Sequence, residues 1–145
     1  MVTALFLIEH AYSHFLHEGL TWRHVLDWMM FKSKHKKEID WNTLSVYIDD
    51  FGFRRFYESF YKLGKYLIGE VNESVLSKVD KRMLEDVWAP LDTHETDIGF
   101  RGKLSLAGST WRARWKYRYF SPISMVHALW IQVVGVLFQK NPRLA

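Results

Sequence analysis

The sequence predicts an all-α chain of about six helices, and three observations carry that expectation. Apolar residues recur at helical spacing along most of the chain. Gly19, Gly52 and Gly69 each fall where one such pattern stops. Strand-like alternation is nearly absent, leaving room for at most a short strand pair near residues 98–104. With 145 residues, 48% of them hydrophobic and 17% aromatic, the chain has material for one core and is too short for two, so residues 1–145 are expected to form a single helical domain.

Each element follows from its local pattern. The first helix is expected over Thr3 to Glu18, with Ile8 central to a stripe holding Ala4, Ala11, Tyr12 and Phe15. His10, His14 and His17 lie on the other side. Thr21 is a natural N-cap for a second helix running to His35, with Trp22, Val25, Leu26 and Met29 expected inward. Its last turn is basic, from Lys32 to Lys37, which suits a helix C-terminus. Asp40 is expected to cap a third helix, Trp41 to Phe51. An aromatic fourth helix follows from Phe53 to Ile68.

Val71 to Trp88 reads as helical or nearly so, with Asp80 a cap for its second part and Pro90 its stop. Leu91 to Gly102 reads as a loop. The last two helices are expected over Leu104 to Tyr119 and Pro122 to Gln139, the latter capped by Ser121 with proline at its first position. That final helix carries no formal charge and reads as buried, with Trp130, Ile131, Val133, Val134 and Phe138 inside. A membrane-interface helix is the other reading, since the segment falls short of the roughly 20 apolar residues a span requires. No internal repeat of solenoid length is visible.

Composition removes several chemistries. Without cysteine there is no disulfide scaffold, thiolate metal site or thiol nucleophile. The N-terminus lacks the basic region of a signal peptide and meets Glu9 and His10 at once, which points to a cytoplasmic setting. Met1 leads almost directly into an apolar helix with no cap. The chain is therefore expected to be the remainder of a longer protein or a separately encoded piece that docks on another. The formal charge of +4 is also divided unevenly: all the acids lie at or before Asp97, whereas the segment from Gly99 onward holds 8 Lys and Arg and no acid. A one-signed segment suits an anionic partner such as nucleic acid, lipid headgroups or a phosphorylated ligand.

Three groups of residues are candidates for chemistry. His10, His14 and His17 share a helix face, and imidazoles at i and i+4 can chelate zinc. The intervening Ala11-Tyr12-Ser13 lacks the glutamate of a zincin, so the face reads as a polar surface for solvent or a partner, and no metal is assigned to it. Arg23, His24 and Asp27 lie on the outer side of the second helix. Arg23 and Asp27 suit a surface ion pair worth under about 1 kcal/mol, and His24 with Asp27 has no nucleophile beside it. In Trp111-Arg112-Ala113-Arg114-Trp115-Lys116-Tyr117-Arg118-Tyr119, cations alternate with aromatics, which suits phosphate contact with base stacking or an anionic membrane surface. A core role for the tryptophans, with Arg112, Arg114, Lys116 and Arg118 reaching for water, is the competing reading. Gly108-Ser109 has the form of a nucleotidyltransferase opening, but no carboxylate follows it to hold Mg²⁺.

The run His10-Ala-Tyr-Ser-His14-Phe-Leu-His-Glu-Gly19-Leu-Thr-Trp-Arg23-His-Val-Leu26-Asp27-Trp, with Glu38-Ile-Asp40-Trp41 and Phe51-Gly52 after it, resembles the helical half of a bacterial family of uncharacterised nucleotidyltransferases. The likeness is best over residues 8–69, and the late basic tryptophan segment resembles a motif near the end of some members. It implies a helical accessory portion that shapes a nucleotide or acceptor pocket without being catalytic alone. His10, His14, Arg23 and Asp27 match positions where that family keeps polar residues. They would face the substrate or a catalytic nucleotidyltransferase domain or chain, while Arg112, Arg114, Lys116 and Arg118 would offer charge to phosphate. The family's Gly-Ser and Asp-x-Asp catalytic strands have no counterpart here. No catalytic residue and no cofactor is therefore assigned to this chain, and Mg²⁺ with a nucleoside triphosphate is implied only for a catalytic domain outside it. The expectation from another class is a peripheral module that binds anionic membrane or nucleic acid through its basic C-terminal region.

Overall fold

A computed structural model of the chain describes residues 2–17, 19–88, 114–127 and 130. The described residues form seven helices, one of them a 3₁₀ turn, and contain no strand. In order these are α1 (Val2–His17), α2 (Trp22–His35), α3 (Trp41–Asp50), α4 (Arg54–Leu67), the 3₁₀ turn Glu73–Val75, α5 (Lys78–Trp88) and α6 (Arg114–Phe120). The expected loop over residues 91–102 and strand pair at 98–104 lie outside the described residues, as does the expected helical stretch 104–113.

The first four helices begin and end close to where the local signals put them. α1 buries Ala4, Ile8, Ala11, Tyr12, Phe15 and Leu16, one stripe at helical spacing. It stops because Gly19 takes φ +109°, a conformation that L side chains rarely adopt, and its N–H returns to the His14 carbonyl at 2.8 Å. Thr21 then caps α2, with its hydroxyl and the His24 ring each accepting from the other's backbone N–H. Asp40 caps α3 by accepting from the Asn42 and Thr43 N–H groups, both at 3.1 Å.

Two local expectations are corrected. Trp22, expected inward, is 54% exposed, and the buried face of α2 is Val25, Trp28 and Met29. Six residues at about 100° each put Trp22 and Trp28 on different sides of the helix, and the core takes Trp28. The cap of α5 is Ser77, not Asp80. Asp80 sits three residues inside the helix and accepts from the Ser77 N–H at 2.8 Å, while its own N–H donates to the Ser77 hydroxyl at 3.2 Å.

α4 is the central element, packing on α2, α3, α5 and α6, while α1 packs on α2, α3 and α6. The interior is aromatic. Phe15 meets Phe56 and Phe120 with ring centroids 5.4 and 5.2 Å apart, and Phe56 stacks on Phe60 at 5.1 Å. Tyr12 keeps its hydroxyl satisfied in this setting by donating to the Phe120 carbonyl at 3.2 Å. α2 and α4 approach so closely at Gly64 that a β-carbon there would lie 2.5 Å from the Met29 sulfur.

α6 is joined to this core by a charged side chain. Lys116 is buried and donates to the Phe15 carbonyl and the Asp86 carboxylate, both at 2.8 Å. After α6, Ser124 accepts from the His127 N–H at 3.3 Å and opens a helical turn at Met125, so the expected cap at Ser121 shifts by one turn. Most of the expected final helix lies outside the described residues. Trp130, expected in the core, is 67% exposed. No helix among the described residues is long and apolar enough to cross a membrane.

Candidate functional site

The turn at Gly19 and the cap at Thr21 fold α2 back against α1, so the outer faces of the two helices meet along a shared edge. His10 and His14, one turn apart on α1, meet His24 from the first turn of α2 there. The His14 and His24 rings stack with centroids 4.7 Å apart, His10 stands edge-on to His14 at 4.5 Å, and His10 and His24 are 5.7 Å apart. Beside them opens a cleft of about 310 Å³ lined by Leu7, His10, Arg23, His24 and Asp27. Arg23 and Asp27 form the expected ion pair along its wall, Nε to Oδ2 3.8 Å, with both side chains largely in water.

The structure thus brings three of the four nominated residues, His10, Arg23 and Asp27, into one cleft, and places the fourth, His14, against its histidines. It adds His24, which the sequence paired with Asp27 alone. Spacing within one helix shows that His10 and His14 are neighbours, but it is silent on which side of α2 will meet them. His17, grouped with His10 and His14 by spacing, lies outside the trio of nitrogens described below.

His24 is tied to its own helix cap. Its Nδ1 lies 3.2 Å from the Thr21 backbone nitrogen and 3.0 Å from the Thr21 hydroxyl oxygen. Burial first, then the neighbouring His14 and His10, push its pKa below the ordinary imidazole value, with Asp27 pulling weakly the other way. The ring is therefore held neutral at pH 7, as a proton acceptor or a ligand must be. A hydroxyl bonded to an imidazole has the form of an activated nucleophile, but the Thr21 oxygen already serves as the helix cap. The arrangement suits binding rather than covalent chemistry.

The second nominated surface is divided by the fold. Arg114 and Arg118 are exposed on α6, and Arg112 lies outside the described residues. Lys116 points the other way, into the protein, where Asp86 balances its charge. Its nomination for an external anion gives way to a structural role, because a buried ammonium with two close acceptors has no face left toward solvent. Trp115 is likewise partly buried, edge-on to Phe15 with centroids 5.8 Å apart and covered by the Arg82 guanidinium at 4.6 Å. Its position is that of a core anchor rather than an open stacking platform.

The chain matches no protein-family model, no curated protein and no solved structure.

Proposed function

We propose that this chain is the helical accessory portion of a nucleotidyltransferase-like protein, a cytoplasmic binding element that is not catalytic by itself. Its working surface is the cleft between α1 and α2. The observation that carries the reading is the convergence of His10, Arg23 and Asp27 on one cleft, with His14 packed against it, since these residues come from two helices and were nominated both by their outward placement and by the resemblance. Arg23 is exposed and cationic, and the histidines supply donors and acceptors, a combination that suits a phosphorylated ligand or its acceptor. A catalytic domain or chain, holding Mg²⁺ and the triphosphate, would close over this surface.

Calorimetry of the full chain with Mg²⁺ and each common nucleoside triphosphate tests this, together with co-purification against a catalytic nucleotidyltransferase chain. Micromolar binding that is lost on Arg23→Ala is the expected result. A stable chain that binds no triphosphate and retains no catalytic partner would remove the reading.

The alternative is a peripheral module for anionic lipid or nucleic acid. Arg114, Arg118 and Tyr119 are exposed on α6, and Val126 and Trp130 beyond it are 72% and 67% exposed. The inward turn of Lys116 and Trp115 weakens it by taking one cation and one aromatic out of that surface. Salt-sensitive binding to anionic vesicles or single-stranded DNA, with no response to triphosphates, would favour it over the transferase reading.

A further inference from the structure

The geometry points to a metal site: His10, His14 and His24 form a three-histidine centre for a divalent transition-metal ion, with zinc the best-fitting member. Each ring offers one nitrogen, and the three nitrogens lie within 4.8 Å of one another. In a tetrahedral zinc site with Zn–N bonds of about 2.0–2.1 Å, the ligand nitrogens stand roughly 3.4 Å apart. The difference is within the reach of side-chain rotation, and the rings are exposed (His10) or partly exposed (His14 and His24). The inference stands on the three imidazoles and does not depend on the transferase reading.

Three further observations agree. The spacing of His10 and His14 at i and i+4 on a regular helix is a common chelating pair, and the third ligand arrives from a second helix held firmly by its cap. The three rings already crowd one another, with centroids 4.5, 4.7 and 5.7 Å apart, so that one ion can reach all three. His24 also has a supporting group. With Nε2 on the metal, the proton moves to Nδ1, which gives up the Thr21 backbone N–H it accepts at 3.2 Å and donates instead to the Thr21 hydroxyl oxygen, 3.0 Å away. That is the outer hydrogen bond which usually fixes a ligating histidine.

The donor set narrows the ion. Imidazole without thiolate or a ring of carboxylates suits zinc, copper, nickel or iron rather than calcium or magnesium. Three protein ligands leave a fourth position for water or an anion. His10 and His24 also line the cleft whose wall carries Arg23 and Asp27.

The test is calorimetric titration of the chelator-treated full chain with zinc chloride, alongside the visible spectrum of the same protein with cobalt(II). Binding at one ion per chain, with the intense cobalt bands of a low-coordinate site, is expected. His10→Gln, His14→Gln and His24→Gln should each weaken zinc at least tenfold. His35→Gln, whose ring pairs with Glu38 away from the cluster, should leave it unchanged. Glutamine at position 24 keeps the reciprocal helix cap, so loss of zinc there is separable from loss of fold, and circular dichroism of each variant checks this. Absence of saturable binding overturns the site. So does zinc binding that survives His10→Gln and His14→Gln, and binding that survives His24→Gln places any metal on α1 alone and equally overturns the three-histidine centre.

Discussion

The Lys116 ammonium donates to the Asp86 carboxylate at 2.8 Å, with the lysine side chain 7% and the aspartate side chain 20% exposed. The same carboxylate accepts the Leu20 N–H at 3.0 Å, and the same ammonium donates to the Phe15 carbonyl. One ion pair thus links α6 and α5 to the end of α1 and to the turn that aims α2 at the histidine cluster. Burial lowers the Lys116 pKa and Asp86 acts against that shift, so the pair depends on its geometry being kept.

Lys116→Met keeps the stem that packs over Phe15 but leaves Asp86 partly buried beside an empty acceptor. The expected cost is about 3 kcal/mol, at the lower end for a broken buried pair because Asp86 retains some contact with water. Urea unfolding followed by far-ultraviolet circular dichroism measures it. A loss below about 1 kcal/mol would mean the pair behaves as a surface ion pair.

Asp80 predicts an acid-sensitive stability. Its side chain is 1% exposed; burial opposes its charge, and the Ser59, Lys62 and Ser77 groups around it more than offset that, leaving its pKa below the ordinary carboxylate value. A depressed folded-state pKa contributes stability that is fully present above the unfolded value, about pH 4, and is lost as pH falls through the folded one. Stability of the wild type should therefore drop as pH is lowered below about 4. Asp80→Asn should cost roughly 1–3 kcal/mol at pH 7 and flatten that acid limb. Parallel acid limbs in the two proteins would assign the sensitivity to other groups.

The first four helices were legible because their signals are local: a stripe at helical spacing, a capping residue, a glycine at the end. Gly19, Gly52 and Gly69 all take positive φ at the ends the pattern assigned to them. Three features were not legible, and each depends on a partner distant in sequence. Trp28 rather than Trp22 is buried because α4 and α1 choose the face of α2. Lys116 turns inward because Asp86, on a different helix, is there to meet it. His24 joins His10 and His14 only because Gly19 reverses the chain at one particular angle. Ser77 was a different kind of miss, since the Ser-x-x-Asp spacing that marks the cap is present in the sequence.

Gly64 sets the distance between α2 and α4. An added β-carbon would meet the Met29 sulfur at 2.5 Å and its γ-carbon at 2.7 Å. Alanine in a helix interior normally gains about 1 kcal/mol over glycine, whereas forcing a methyl into packed core costs about 1–3 kcal/mol. Gly64→Ala is therefore expected to destabilise by about 1 kcal/mol net, and its effect should reverse in sign in a Met29→Ala background, where the room exists. Chemical unfolding of the four proteins in that cycle measures the coupling, and additive effects would show that Met29 simply swings aside.

Thr21 joins the fold to the metal site, and its variants can separate the two roles. Its hydroxyl accepts from the His24 N–H, and it also stands 3.0 Å from His24 Nδ1. Thr21→Val keeps the shape and removes both bonds, so it should cost about 1 kcal/mol as a lost N-cap. It should also weaken zinc on the order of tenfold, because the His24 ring loses the acceptor that fixes its tautomer. Thr21→Ser keeps the oxygen and should restore both properties. Imidazole nitrogen shifts of His24 report the tautomer directly: on adding zinc, the proton should reside on Nδ1 in the wild type and in Thr21→Ser. A Thr21→Val protein that is less stable yet binds zinc as the wild type does would confine Thr21 to capping and leave His24 oriented by its neighbours on α1.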